Sequence, residues 1–227
     1  MMSSNLSRTI VLGLAIAFAT GAPKVWASDQ SPMAVELRHI DGEWARITYQ
    51  MTNADEQEKQ MHALAAEAAT LVAQYPDRAE PLIWDGIVTS SEAKYAGSLG
   101  ALGLAKASRD MFEKAGRIDY RAVDGAVPTS LGALYYKVPG FPLSFGDNAR
   151  ARQYLEDGLK ISPNGLDANY FYGDFLFGVG EYARAVAVLK HALSTPPDPE
   201  RPIWDAGRRA DIRALLPKVE EKLASRQ

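Results

Sequence analysis

Gly146–Pro163, GDNARARQYLEDGLKISP, and Gly180–Pro197, GEYARAVAVLKHALSTPP, align without a gap at an offset of 34 residues. Gly146 falls on Gly180, Ala149 on Ala183, Arg150 on Arg184, Ala151 on Ala185, Leu155 on Leu189, Leu159 on Leu193 and Pro163 on Pro197. These seven identities in eighteen positions exceed the roughly one that chance supplies, so the segment is an internal repeat. Its chemistry reads as a pair of helices. Gly180 supplies a left-handed residue where a first helix ends. Ala185 and Ala192 are small where two helices approach, Leu189 fills the gap between units, and Pro197 stops the second helix.

A repeat of this length with these residues resembles the tetratricopeptide family, whose unit is a helix–turn–helix. Helix A of the last unit carries Asn169, Tyr172, Gly173 and Leu176 at packing positions, and helix B runs from about Glu181 to Leu193. Leu131-Gly132-Ala133-Leu134-Tyr135 repeats the helix A pattern upstream, with its helix B over Ala151–Lys160. Further upstream, Trp84-Asp85-Gly86 reads as a helix A and Ser108, Phe112 and Ala115 as a helix B. A Trp44 helix pairs with a helix through His62–Tyr75, for which Asn53 and Glu56 have cap spacing. The resemblance covers most of residues 53–199. The expected fold is all-α: about nine helices, stacked as antiparallel pairs in a tetratricopeptide-like right-handed superhelix. A final helix over Trp204–Ser225 caps the open end, with Pro217 expected to kink or split it. No segment shows strand periodicity.

Residues 1–27 read as a signal peptide rather than as part of this array. Arg8 precedes the apolar run Thr9–Thr20, and Val25-Trp26-Ala27 resembles a cleavage site. The run is shorter than the ~20 residues that cross a bilayer, so a permanent anchor is not expected. Removing the leader, with Arg8 and Lys24, leaves 23 basic and 28 acidic residues, a charge of −5. Residues 28–227 are then a single helical-repeat domain, expected in the periplasm. The chain has no cysteine, which excludes disulfides, thiolate metal sites and a lipidated N-terminal Cys. Its composition, 47% hydrophobic and 23% charged, is that of a globular protein, and its charge lacks the basic surplus of a nucleic-acid binder.

No motif for chemistry stands out, and the chain is expected not to be an enzyme. His39, His62 and His191 are each alone, without metal-ligand spacing, and no cofactor or metal is expected. No G-x-S-x-G elbow occurs. Gly97–Gly103 lacks the Lys-Ser/Thr of a phosphate loop and reads as a connection between helices, with Gly97 ending one helix and the later glycines allowing close packing. In Arg201–Arg213, Asp205 and Asp211 stand at helical spacing from Arg208 and Arg209, which favours intrahelical pairs over a ligand-binding arginine pair.

Binding is the remaining possibility, and two surfaces offer it. The segment 138–147, containing Pro139, Phe141, Pro142 and Phe145, is an insertion relative to the family pattern; its aromatic residues either fold back onto the helices or meet a partner. The second surface is the inner curve of the array. Helix A positions that commonly face a peptide in tetratricopeptide proteins correspond to Asp167, Tyr170, Asp174 and Phe177, and one unit earlier to Ala126, Thr129, Ala133 and Tyr136. This aromatic and acidic face departs from the family's basic clamp for C-terminal carboxylates. The resemblance implies an exported adaptor or scaffold for a protein or peptide partner. The alternative is a binder of small apolar ligands, with a pocket enclosed by Tyr136, Phe141, Phe145 and Tyr170. Export, length and helical repeats also give a looser similarity to the T component of TRAP-type transporters, an accessory that exchanges ligands with a solute-binding protein and can form homo-oligomers.

Overall fold

The computed structural model describes residues 29–226; the expected leader, residues 1–27, lies outside them. Nine helices follow one another among the described residues: α1 (Pro32–Tyr49), α2 (Ala54–Gln74), α3 (Ala79–Glu92), α4 (Ser98–Asp119), α5 (Ala122–Lys137), α6 (Asn148–Ile161), α7 (Leu166–Gly178), α8 (Tyr182–Ser194) and α9 (Pro202–Ala224). The fold is all-α and tetratricopeptide-like, with the helix pairs in the expected order.

Local chemistry sets the helix ends. The Asn53 side chain accepts the Glu56 N–H at 3.0 Å and starts α2. Asp147 Oδ1 accepts the Ala149 and Arg150 N–H groups at 2.8 and 3.1 Å and starts α6. Gly180 takes φ +81° after α7, where the Glu181 N–H donates to the Leu176 carbonyl at 2.8 Å and the Gly180 N–H to the Phe177 carbonyl at 3.1 Å. These paired bonds satisfy the carbonyls that a helix C-terminus leaves free.

Two expectations about breakers do not hold. Helix α9 runs unsplit through Pro217; the proline and Arg213, whose carbonyl loses its donor, both lie on the exposed side where water can replace the bond. Gly97 begins α4 as its N-cap rather than ending α3, and Gly103 faces open space instead of a packed neighbour.

Within each of three pairs, a glycine of the first helix meets a large side chain of the second. A Cβ built on Gly86 would stand 2.9 Å from the Phe112 ring, one on Gly132 2.6 Å from Leu155, and one on Gly173 2.6 Å from Leu189. Phe112, Leu155 and Leu189 are fully buried, and the small residues Ala115, Gly158 and Ala192 follow one helical turn later. Each pair therefore repeats the same close packing.

The pairs assemble into a ring. Helices α1, α3, α5, α7 and α9 contact one another in that order, and α9 returns to contact α1. Outside them, α2 lies over α1 and α3, α4 over α3 and α5, α6 over α5 and α7, and α8 over α7 and α9. Helix α9 caps the last pair, as expected, and also closes the inner curve on itself.

The ring wall contains a buried carboxyl on α3 that carries a cost. Asp85 on α3 is 5% exposed, and burial raises its carboxyl pKa to about 6 against the opposing hydrogen bond from Thr89. A folded-state pKa above the unfolded value means that this group's contribution to stability is full below about pH 4 and is lost as pH rises through about 6. Asp85→Asn should stabilise the protein by on the order of 1 kcal/mol near neutral pH and flatten the pH dependence of stability over that interval. Urea unfolding of both proteins across that range checks this; an equal pH slope in the two would contradict it.

Candidate functional site: a tryptophan-lined cavity inside the ring

The inner helices surround a cavity of about 620 Å³. Trp44 reaches it from α1, Trp84, Ile87 and Ser91 from α3, Ala126, Thr129, Ala133 and Leu134 from α5, Asp167 from α7, and Trp204 and Arg208 from α9. All three tryptophans that follow Trp26 in the sequence thus converge on one space. A second cavity of about 340 Å³ adjoins it between α1 and the start of α9. Trp84, Val123, Asp124, Arg201 and Trp204 line both and form the narrowing between them.

Each tryptophan is held in place. Trp44 Nε1 donates to the Ser91 hydroxyl at 2.8 Å, and the Trp44 and Trp84 rings meet edge to face at 6.2 Å. The Arg201 guanidinium lies 4.0 Å from the Trp204 ring centre and 5.8 Å from that of Trp84. Such cation–π contacts are worth about 0.5–2 kcal/mol, more when dry.

The charges near the cavity are paired. Arg201 donates Nε and Nη2 to the two oxygens of Asp41, both at 2.6 Å. Burial nevertheless raises the Asp41 carboxyl pKa, outweighing the opposing pull of Arg201. Arg208 donates to Asp167 at 2.6 Å and Asp211 at 3.0 Å, and its guanidinium lies 4.5 Å from the Tyr170 ring centre. Arg209 bonds Asp205 at 2.8 Å and reaches the carbonyls of Leu193, Thr195 and Pro196. The expected intrahelical pairs Arg208–Asp211 and Arg209–Asp205 form, and Arg208 also crosses to α7. With these guanidiniums neutralised, the aromatic and aliphatic walls dominate what the cavity offers.

Beside the narrowing, α5 begins with three left-handed residues: Val123 at φ 50°, Asp124 at φ 53° and Gly125 at φ 76°. A β-branched residue there is strained. The right-handed part of α5 begins only afterwards, so Pro128 falls in its first turn, where no intrahelical N–H is needed.

The residues picked out from the sequence divide between cavity and packing. Asp167 reaches the cavity, as do Ala126, Thr129 and Ala133 one unit earlier. Tyr170 instead packs beneath Arg208 and against Phe171, filling the space between α7 and α9. Asp174 forms an ion pair with Lys137, joining α7 to α5. Tyr136 meets Phe175 edge to face at 5.4 Å, and Phe177 packs on Tyr182 at 5.8 Å. The later turns of α5 and α7 are used in holding helices together.

The insertion does not form the pocket expected of Tyr136, Phe141, Phe145 and Tyr170. Phe145 stacks edge to face on Tyr135 at 5.3 Å and under the Arg109 guanidinium at 4.6 Å, turning the loop toward α4. The Asp147 N–H donates to the Tyr135 carbonyl at 2.9 Å and fixes the loop base there. Phe141 is 94% exposed and Leu143 71%. The four rings therefore enclose nothing in common. Trp44, Trp84 and Trp204, which do line the interior, belong to no motif; their sequence signal is one tryptophan on each of the inner helices α1, α3 and α9.

The histidines lie outside this site. His39 pairs with Glu67, His62 with Glu92 and His191 with Asn164, all on exposed helix faces. No helix among the described residues is long and apolar enough to cross a membrane.

No curated protein matches the chain. Residues 143–208, from the insertion through α6, α7 and α8 into α9, match the family model described as tetratricopeptide repeat. This match suggests a role in protein interaction. The segment that carries the cleanest internal repeat is thus a tetratricopeptide-type segment within an all-α helical-repeat fold.

Proposed function

We propose that this is an exported, non-enzymatic binding protein of the periplasm that takes a small, mainly apolar ligand into the ring and acts as an accessory to another envelope protein. The observation that carries the ligand reading is the convergence of Trp44, Trp84 and Trp204 on one cavity. A volume of about 620 Å³ falls within the usual range for small-molecule sites, and aromatic walls with a few polar groups are their common chemistry. Ring closure also favours this reading over an open peptide groove, because α9 occupies the side through which a long peptide would lie along the inner curve. Arg8 and the apolar run after it support export. The loose similarity to the T component of TRAP-type transporters fits an accessory that passes ligands to or from a solute-binding protein.

Intrinsic tryptophan emission is a direct test, because every tryptophan after the leader lines the site. Titration of the mature protein with N-phenylnaphthylamine should quench that emission by energy transfer and saturate. Ala133→Phe, which fills the cavity from α5, should weaken binding by about tenfold with the far-UV circular dichroism unchanged. Saturable binding that is unaffected by Ala133→Phe would place the probe elsewhere.

A second reading rests on the insertion. An aromatic side chain 94% exposed on a fixed loop is an available anchor for a protein partner. Pull-down from an envelope fraction should recover a protein that the Phe141→Ala, Leu143→Ser double variant loses. Equal recovery by both baits would make the loop architectural.

A further inference from the structure

The junction of α9 with α1 differs from every other junction in the ring. Each remaining pair of adjacent inner helices is covered by an outer helix that packs on both: α2, α4, α6 or α8. Among the described residues no helix contacts both α9 and α1 except the two themselves. This seam is therefore one layer thick. It is also where the two ends of the array meet, so no short connection tethers its two sides.

Polar contacts hold it. Arg201 grips Asp41 through two bonds of 2.6 Å, across 160 residues of sequence. The Tyr49 hydroxyl donates to Asp211 at 3.2 Å, and the Tyr49 ring lies flat on Gly207, where a Cβ would stand 2.3 Å from the ring. The same Arg201 guanidinium makes a second set of contacts. It lies over Trp204 and faces Trp84, in the narrowing between the two cavities. One side chain thus bridges the seam and divides the interior.

We propose that the α1–α9 seam is a gate and Arg201 its latch. Release of Arg201 from Asp41 lets α9 draw away from α1, withdraws the guanidinium from between Trp84 and Trp204, and joins the two cavities into one site for an elongated apolar ligand. Closure divides the space again and leaves room for a compact ligand on one side. The inference rests on the cavity's being the ligand site, and it adds what shape of molecule that site admits.

The chain has no cysteine, so a single engineered pair gives an unambiguous lock. Tyr49→Cys with Gly207→Cys places two thiols where ring and backbone now touch. In the oxidised form, N-phenylnaphthylamine should bind with affinity within about twofold of the reduced form, whereas parinaric acid, a long-chain fluorescent fatty acid, should associate on the order of tenfold more slowly. Reduction should restore its rate. Equal parinaric acid kinetics in the locked and reduced forms would overturn the gate while leaving the cavity reading in place. Binding of neither probe to the wild-type protein would overturn the cavity reading and the gate with it. Asp41→Asn gives a second measurement that does not depend on disulfide formation: parinaric acid association should rise by a few fold, with compact-probe affinity held. An unchanged rate in this variant counts against the latch.

Discussion

In three successive helix pairs the same contact leaves no room for one more methyl group. Gly86, Gly132 and Gly173 each lie so close to a buried side chain of the partner helix that a Cβ would overlap Phe112, Leu155 or Leu189. Close packing of this kind holds paired helices at the short end of the usual 8–10 Å separation and fixes their relative orientation. Because the contact recurs, the rotation from one pair to the next recurs as well, and a regular rotation yields curvature. In this chain the curvature runs until the inner helix of the first pair meets α9. The cavity is a consequence of that closure, since it is the space left inside five inner helices.

Curvature alone does not keep the inside open. Where inner helices bear small or short residues toward the centre, such as Ala126, Thr129, Ser130 and Ala133 on α5, a void remains. Where they bear large ones, as in the later turns with Tyr136 and Phe177, neighbouring helices fill the space. The charged residues that border the void are mostly neutralised before any ligand arrives, Arg208 by Asp167 and Asp211, and Arg201 by Asp41. What is left for recognition is the indole edges together with apolar groups such as Ile87 and Leu134 and a few hydroxyls, Ser90 and Ser130 among them.

The parts of this architecture that depend on neighbouring residues were legible in the sequence. The cap at Asn53 and the left-handed Gly180 involve residues close in sequence, whereas Leu189, expected between units, packs on Gly173 within its own. The positions of Ala126, Thr129, Ala133 and Asp167 on the inner face followed from the tetratricopeptide resemblance. Closure was not legible, because it depends on small rotations summed over four pairs and on contacts such as Asp41 with Arg201 that no repeat announces. For the same reason Trp44, Trp84 and Trp204 read as separate core residues until the ring brought them together. The insertion misled differently. Its aromatic residues suggested a pocket wall, but Arg109 and Tyr135 gave Phe145 a better surface on the outer side.

The distribution of strain and charge around the ring follows a pattern. Junctions covered by an outer helix carry ion pairs too, Lys137 with Asp174 between α5 and α7 and Arg208 with Asp167 between α7 and α9. Across the uncovered junction run one ion pair, Arg201 with Asp41, a tyrosine hydroxyl and one ring on a glycine. Next to it, across the narrowing, α5 holds Val123 and Asp124 in left-handed conformations that cost of order 1–3 kcal/mol each. Apolar packing loses most of its energy when helices part, whereas a charged pair regains hydration. The fifth side of the ring is a single layer of helices, and on its α9 edge Arg201 and Trp204 are among the residues that touch both cavities.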